Sequence, residues 1–335
     1  MKRLLPILLF VAYSTFGQTV AEHKAMYRKA LQEQLLMLQG KTPVDFKKSV
    51  FLVENAYNKN KLSYADFCGQ INSIGQTLKK MIAEKGIQRY KTSGNWATFT
   101  FLTDTIPENK FKPYTYDFDD FEGRKDFSKQ FVTKLLRTKG GNCHSLPFLY
   151  KLLANEIGAS SYLALAPNHC YIKHQKEDGQ WANVEMTNAS FPRDQWMIKS
   201  MAVSVDAIRK GTYMRPLTPK EEICFTIFDL ASAYDHQFGY DEFSVEASNI
   251  GLKYFPNCLE LCMTKNNALI DIIEKGKKKA VIDTAYLLRQ AFVCKANMKK
   301  INDLGYKDMP KEQYLSWVKM IEKEKTKRQV MSKQK

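Results

Sequence analysis

Residues 140–188 constrain the fold of this chain most, because a helix-patterned run is followed at once by three strand-patterned runs. In GGNCHSLPFLYKLLANEIG, the residues Leu146, Leu149 and Leu153 recur at helical spacing, and Gly158 is a stop signal. The runs SSYLALAP, NHCYIKHQ and QWANVEMT come next and are typical of short strands. We therefore predict a buried helix followed by an antiparallel meander, which is an α+β arrangement.

The first residues, MKRLLPILLFVAYSTFGQ, have the pattern of a secretory signal peptide. Lys2 and Arg3 precede an apolar stretch, and Thr15 and Gly17 are small residues suited to the positions before a cleavage site. We expect residues 1–17 to be a signal peptide and the protein to be exported, either to the periplasm or out of the cell. No later apolar run reaches the ~20 residues that span a bilayer, so no transmembrane span is expected in the mature chain. An uncleaved N-terminal anchor is the alternative.

The 335-residue chain carries a formal net charge of +16, and its lysines are spread along the whole length. Such a surface can attract an acidic polymer or a membrane face through long-range fields. No nucleic-acid-binding motif and no glycine-rich phosphate loop is present, so we expect neither a nucleic-acid partner nor nucleotide chemistry.

Helical spacing begins near residue 21 and continues through the first part of the chain. The aromatic and β-branched run NWATFTFLTD, residues 95–104, predicts a short strand. The stretch KPYTYDFDDFEG, residues 112–123, has no clear period and is interpreted as a loop that lies over a site.

After about residue 212 the pattern is almost entirely helical. Within EASNIGLKYFPN, Ala247, Leu252 and Pro256 have the spacing of a tetratricopeptide second helix and its turn. We predict residues 18–210 as one domain with N-terminal helices, and residues 211–335 as an all-helical, tetratricopeptide-like region.

The turn of the predicted hairpin sets which residues of its two strands face each other. If Glu177-Asp178-Gly179 forms a three-residue loop with Gly179 in the left-handed conformation, Lys176 pairs with Gln180.

In that register His169 and Glu185 are diagonal neighbours on one face of the hairpin, and the carboxylate can hold the histidine tautomer. A loop of two or four residues would send Glu185 to the other face.

Cys143 lies directly after a Gly-Gly-Asn turn and just before the predicted helix. The positive end of a helix dipole and an imidazolium partner both lower a thiol pKa. A carboxylate behind the histidine completes the set of nucleophile, base and orienting acid. The glycines allow a substrate backbone to approach closely. Pro147 requires the helix to begin near His144.

These residues resemble the transglutaminase-like core superfamily, in its bacterial branch with C-terminal tetratricopeptide-type helices. The resemblance covers about fifty residues, with a Gly-x-Cys that opens a helix, a histidine on a following strand, and a tryptophan and an acid before a threonine. It implies a papain-like α+β fold that acts on peptide or amide bonds by hydrolysis or acyl transfer, without a cofactor. Carried over, Cys143 is the nucleophile, His169 the base and Glu185 the orienting acid, where aspartate is usual.

Four further residues of the same stretch are expected to support the site: Gly141, Asn142, Trp181 and Asn188. The alternative function is a non-catalytic module in which this core is a scaffold and the helices bind a peptide or protein partner.

The chain has seven cysteines, so at least one thiol is left unpaired within the chain. Cys258 and Cys262 are one helical turn apart, which favours a buried helix face. Cys143, His144, His169 and Cys170 are zinc-ligand types, but adjacent strand residues point to opposite sides and the spacing fits no zinc motif. We therefore predict no metal site.

Overall fold

The structure is a computed structural model. It describes residues 5–307 and the single positions 312, 315, 319, 323 and 326, with side chains described from residue 19 onwards. The described chain is mixed α+β, 61% helix and 7% strand, with a small antiparallel sheet, which confirms the α+β class. The predicted signal peptide, residues 1–17, lies outside the residues whose side chains are described and stays a prediction.

The elements are numbered in chain order. The helices are α1 (Leu5–Leu38), α2 (Phe46–Tyr57), α3 (Tyr64–Lys85), α4 (Ser93–Thr103), α5 (Val132–Thr138), α6 (Ser145–Glu156), α7 (Asp194–Ser200), α8 (Val205–Arg209), α9 (Pro219–Phe238), α10 (Glu242–Tyr254), α11 (Leu259–Lys277) and α12 (Thr284–Asp303). The strands are β1 (Thr115–Tyr116), β2 (Gly140–Gly141), β3 (Tyr162–Ala166), β4 (His169–Gln175) and β5 (Trp181–Val184). Two short 3₁₀ helices, Pro107–Asn109 and Phe127–Gln130, precede α5.

The chain divides into two compact units. A helical unit combines Met1–Ser63 with Pro219–Met298, and a sheet-containing unit combines Tyr64–Thr218 with Lys299–Lys335. The sequence grouped all the N-terminal helices with the sheet, whereas the structure groups α1 and α2 with α9 to α12. The physical reason is that α1 and α2 pack against α9.

In the helical unit, α9 lies at the centre and contacts α1, α2, α10 and α11. Tyr27 and Tyr234 are buried and meet edge to face, with their ring centroids 5.4 Å apart. The buried Gln34 amide donates to the hydroxyl oxygens of Ser49 and Thr226, each at 3.1 Å. The Tyr27–Tyr234 and Gln34–Thr226 contacts join segments about 200 residues apart in sequence, so this unit is held together by two separate stretches of the chain.

The sheet-containing unit is built around α6, which is buried along its length and contacts α3, α4, α5, β3 and β4. His144 is the N-cap of α6, and Pro147 therefore lies in the first turn, where its missing N–H is not needed. The fully buried Tyr150 donates its hydroxyl to Asn95 Oδ1 of α4 at 3.0 Å. The predicted start of this helix is confirmed.

The strand predicted for residues 95–104 is wrong, because this segment forms helix α4. The buried positions Asn95, Thr98 and Leu102 recur at helical spacing. The Thr98 hydroxyl donates to the Gly94 carbonyl at 2.8 Å, so its polar group is satisfied within the helix. Burial against α3 and α6 outweighs the β propensity of the threonines and phenylalanines.

The three-stranded sheet is an antiparallel meander in the order β3-β4-β5. A second, two-residue pairing is parallel and joins β1 to β2, with Tyr116 opposite Gly141. The stretch predicted as a loop, residues 112–123, therefore contains β1. This pairing brings that stretch beside the residues that precede Cys143.

Candidate active site

The hairpin register places His169 and Glu185 together. Ile172 pairs with Val184 and Gln175 with Trp181, and the Lys176 N–H donates to the Gln180 carbonyl at 2.8 Å. Gly179 has φ +81°, as the three-residue loop requires. The predicted register is confirmed.

His169 Nε2 and Glu185 Oε2 are 2.6 Å apart. Both side chains are more than nine-tenths buried. Glu185 Oε1 also accepts the Thr187 backbone N–H at 2.8 Å, so both carboxylate oxygens have partners. The carboxylate thus fixes the orientation of the imidazole in a nearly dry environment.

The two groups shift each other's protonation. Burial alone lowers the pKa of His169, but the charge of Glu185, a hydrogen bond with Cys143 and the charge of that thiolate together raise it above its usual value. Burial alone raises the pKa of Glu185, but the charge and hydrogen bond of His169 and the Thr187 hydrogen bonds hold it below its usual value. The arrangement therefore favours an imidazolium held against the Glu185 carboxylate.

Cys143 lies in the turn between β2 and α6 and is partly exposed. It is one residue ahead of the α6 N-cap, so it sits at the positive end of the helix. Its interaction with the imidazole is among the causes that raise the pKa of His169. The thiol is thus accessible from outside and interacts with the buried imidazole.

Asn142 organises the backbone of this turn. Its side-chain oxygen accepts the backbone N–H groups of His144 and Ser145, each at 3.0 Å. Its own backbone N–H donates to Ser145 Oγ at 3.1 Å. The Cys143 N–H makes no hydrogen bond to any residue that the structure describes. It is therefore free to donate to an oxygen that develops negative charge beside the thiol.

Gly141 is closely packed by its neighbours. A Cβ at this position would lie 2.8 Å from both Leu135 Cδ1 and Ser145 Oγ, and 3.1 Å from Leu146 Cγ. Neither Gly140 nor Gly141 has a positive φ, because both belong to β2. The expectation that these glycines let a substrate backbone approach closely stays a prediction.

Of the other two expected supporting residues, Trp181 lies away from this cluster and Asn188 lies on the segment that follows Glu185. Trp181 pairs with Gln175 at the far end of β4 from His169, which is roughly 20 Å along a strand. Its ring packs against Tyr162 at 5.6 Å and is partly exposed. Asn188 follows the acid, and its Oδ1 accepts the Ser190 hydroxyl at 2.5 Å.

Asn188 also lines an open cleft of about 390 Å³. Its remaining lining residues come from the segment that follows Glu185: Ser190, Phe191, Pro192, Arg193, Gln195 and Trp196. Glu185 and Ser190 exchange two backbone hydrogen bonds, at 2.8 and 3.0 Å, so the cleft begins immediately beside the acid.

Two tyrosines belong to the site and were not singled out from the sequence. Tyr116 of β1 is buried, and burial together with the negative charges of Cys143 and Glu185 raises the pKa of its phenol. Tyr171 stacks beside His169 with centroids 6.4 Å apart, and its buried hydroxyl has no hydrogen-bond partner among the described residues. The sequence feature that could have indicated Tyr116 is the aromatic, acidic stretch 112–123, which was expected to lie over a site.

All seven cysteines are free thiols. Five of them are buried, and Cys68 and Cys143 are partly exposed. Cys170 is 4% exposed and follows His169 on β4, so it points to the opposite face of the sheet as expected. Cys258 and Cys262 are fully buried at one end of α11, which confirms the predicted buried face. In the described part of the chain, no three His, Cys, Asp or Glu side chains are grouped so as to hold a metal ion.

Within the same described residues, every helix is too short or too polar to cross a bilayer. Comparisons of the chain with protein-family models, with curated proteins and with solved structures find no match.

Proposed function

We propose that this chain is an exported cysteine hydrolase or acyltransferase that acts on peptide or amide bonds through Cys143, His169 and Glu185. The observation that carries the proposal is the buried 2.6 Å contact between His169 and Glu185, with the partly exposed Cys143 interacting with the same imidazole. A base held by a carboxylate on one side and a thiol on the other is the arrangement that nucleophilic catalysis needs.

In the first half of the reaction, the Cys143 thiolate attacks the carbonyl carbon of the scissile amide. The carbonyl π electrons move to the oxygen, which the free Cys143 N–H can stabilise. The tetrahedral intermediate then collapses as the C–N bond breaks, and the His169 imidazolium gives its proton to the departing amine nitrogen. The products are a thioester on Cys143 and a neutral imidazole.

In the second half, His169 takes a proton from an incoming water or amine as that group attacks the thioester carbonyl. The C–S bond breaks, and the thiolate and imidazolium are restored. Water gives hydrolysis and an amine gives acyl transfer. Glu185 stabilises the imidazolium at both ends of the cycle and does not itself transfer a proton.

The proposal includes a transglutaminase-like core followed by tetratricopeptide-like helices. The order of a buried helix and an antiparallel meander, with the cysteine ahead of the helix and the histidine at the start of β4, supports that assignment. Export is supported by the charged and apolar pattern of residues 1–17.

The test is the pH dependence of alkylation by iodoacetamide, followed residue by residue with mass spectrometry. Cys68, which is also partly exposed, is the reference thiol within the same molecule. At pH 6 an ordinary thiol with a pKa of ~8.5 is only about 0.3% thiolate. We expect Cys143 to react at least about tenfold faster than Cys68 at this pH, because it is paired with an imidazolium.

The His169→Ala variant should lose this advantage at Cys143, while the exposed His236→Ala variant, in the helical unit, should keep it. If Cys143 reacts no faster than Cys68, or if loss of His169 leaves its rate unchanged, the enzymatic proposal fails. The non-catalytic binding module would then be the better interpretation.

A further inference from the structure

Exposed apolar side chains are concentrated at the turn between α11 and α12 and on α12 itself. Val281 is 85% exposed and Ile282 51%, both in the turn. Leu288 is 66% exposed and Phe292 76%, both on α12. Most large apolar side chains from residue 19 to residue 307 are buried, so four strongly exposed ones within twelve residues form an unusual surface.

The two of these exposed residues that lie on α12 share one face of that helix. Leu288 and Phe292 are four residues apart and therefore lie on the same helix face, which Lys295 continues. The opposite face of α12 packs on α11: Leu287 fills the space above Gly276, where a Cβ would lie 2.4 Å from Leu287 Cδ2. The Leu288 face is thus the one that α11 leaves uncovered.

The face is mainly basic, with two carboxylates near it: Glu242 Oε1 is 3.5 Å from the Tyr286 hydroxyl, and Glu274 pairs with Lys277 at 2.8 Å. Between residues 275 and 302 the only carboxylate of the sequence is Asp283, and its Oδ1 accepts the Tyr286 backbone N–H at 2.8 Å. Lys278, Lys279 and Lys295 make no ion pair with any described residue. Four cationic side chains therefore accompany the four apolar ones: Lys278, Lys279, Arg289 and Lys295.

We propose that this basic apolar face, formed by these eight residues, binds the surface of an anionic lipid bilayer. Phe292, Leu288 and the Val281-Ile282 turn enter the boundary between headgroups and acyl chains, as on an amphipathic helix that lies in the interface. The lysines extend their apolar stems along the surface and place their ammonium groups among the lipid phosphates. The surface is independent of the chemistry at Cys143.

Charge complementarity favours lipid over a second copy of the chain. A two-fold interface would place this face against itself, so that the lysines of one copy would meet mainly the lysines of the other. An anionic bilayer supplies both the negative charge and the apolar layer that the face requires.

The test is cosedimentation of the full chain with vesicles of phosphatidylcholine alone and of phosphatidylcholine mixed with phosphatidylglycerol. We expect binding only to the mixed vesicles, with a loss at high salt as the charges are screened. The Lys278→Glu, Lys279→Glu double variant should weaken binding by at least tenfold, because each basic group near such a surface contributes about fivefold. Phe292→Ser should weaken it as well.

The matched control is Phe111→Ser, since Phe111 is 63% exposed but lies in the other unit. It should bind as the parent does. All variants share the N-terminal apolar segment, so differences between them report on the proposed face alone, and thermal unfolding verifies that each is folded. Equal binding by Phe292→Ser and Phe111→Ser overturns the proposal. So does binding that is indifferent to phosphatidylglycerol, or a dimer in light scattering that Phe292→Ser dissociates.

Discussion

At the scale of single residues, the length of the Glu185 side chain decides how the acid meets the histidine. Glu185 lies diagonally across the hairpin from His169, and its Oε2 reaches Nε2 while its Oε1 takes the Thr187 N–H. The resemblance implied aspartate at this position, and the extra methylene spans the diagonal. Both carboxylate oxygens accept a hydrogen bond, so the orientation of the Glu185 side chain is restrained.

This pair makes the stability of the protein depend on pH in a specific window. The pKa of His169 is raised from 6.5, so its contribution is complete below about pH 6.5 and is lost as the pH rises through the folded-state value. The pKa of Glu185 is lowered from 4.5, so its contribution is complete above about pH 4.5 and is lost as the pH falls. The two contributions are complete together between these limits.

We therefore predict that Glu185→Gln lowers the free energy of unfolding most between pH 4.5 and 6.5. The expected loss is about 3 kcal/mol, because one partner of a buried ion pair is removed. This loss should become smaller towards pH 9, because the parent protein itself loses the stabilisation that comes from protonated His169 there. Urea unfolding of both proteins across this range measures the difference. A difference that does not change with pH would contradict the ionic description of the pair.

At the scale of elements, the two-residue strand β2 holds Cys143 in place through packing. Its two glycines have different surroundings although they are adjacent. A Cβ at Gly141 would collide with Leu135 and Ser145, whereas the nearest atom to a Cβ at Gly140 is Asp117 Cβ at 3.7 Å, an ordinary contact.

Gly141→Ala should consequently destabilise the protein by about 1–3 kcal/mol, as overpacked positions do. It should also slow the alkylation of Cys143, because the turn that carries the thiol must shift. Gly140→Ala is the matched control and should stay within about 0.5 kcal/mol of the parent with unchanged alkylation. Thermal unfolding and mass spectrometry provide the two readings. Equal effects of the two substitutions would show that packing at Gly141 is not what holds the turn.

At the scale of the whole molecule, the helical unit is made of two sequence segments, and most of the sheet-containing unit lies between them in the sequence. Helix α2 buries Val50 and Phe51 within the helical unit and contacts α9 there. Cutting the chain at the boundary that composition suggests, near residue 210, leaves the faces of α1 and α2 without their partner.

A fragment of residues 18–210 is accordingly expected to aggregate or to bind a hydrophobic dye, because it exposes these apolar faces. Co-expression with residues 211–335 should restore a soluble complex, since α9 to α12 are then present. Soluble yield, dye fluorescence and gel filtration compare the fragment with the co-expressed pair. A monomeric fragment 18–210 that binds no dye would contradict the division into units described above.

The sequence by itself determined the features that depend on neighbouring residues. Pro147 defines the start of α6, and Gly179 defines the hairpin loop and therefore the register that joins His169 to Glu185. Local geometry is enough in these cases, because a proline ring and a positive φ restrict the backbone wherever the chain goes.

Only the tertiary structure decided the features that depend on distant contacts. Residues 95–104 became a helix because α3 and α6 bury it, against the β propensity of its side chains. Gly141 proved to be a packing residue because Leu135 lies against it, and Tyr116 joined the site because β1 pairs with β2. Such contacts join residues that are close in space only after folding, so no local pattern carries them.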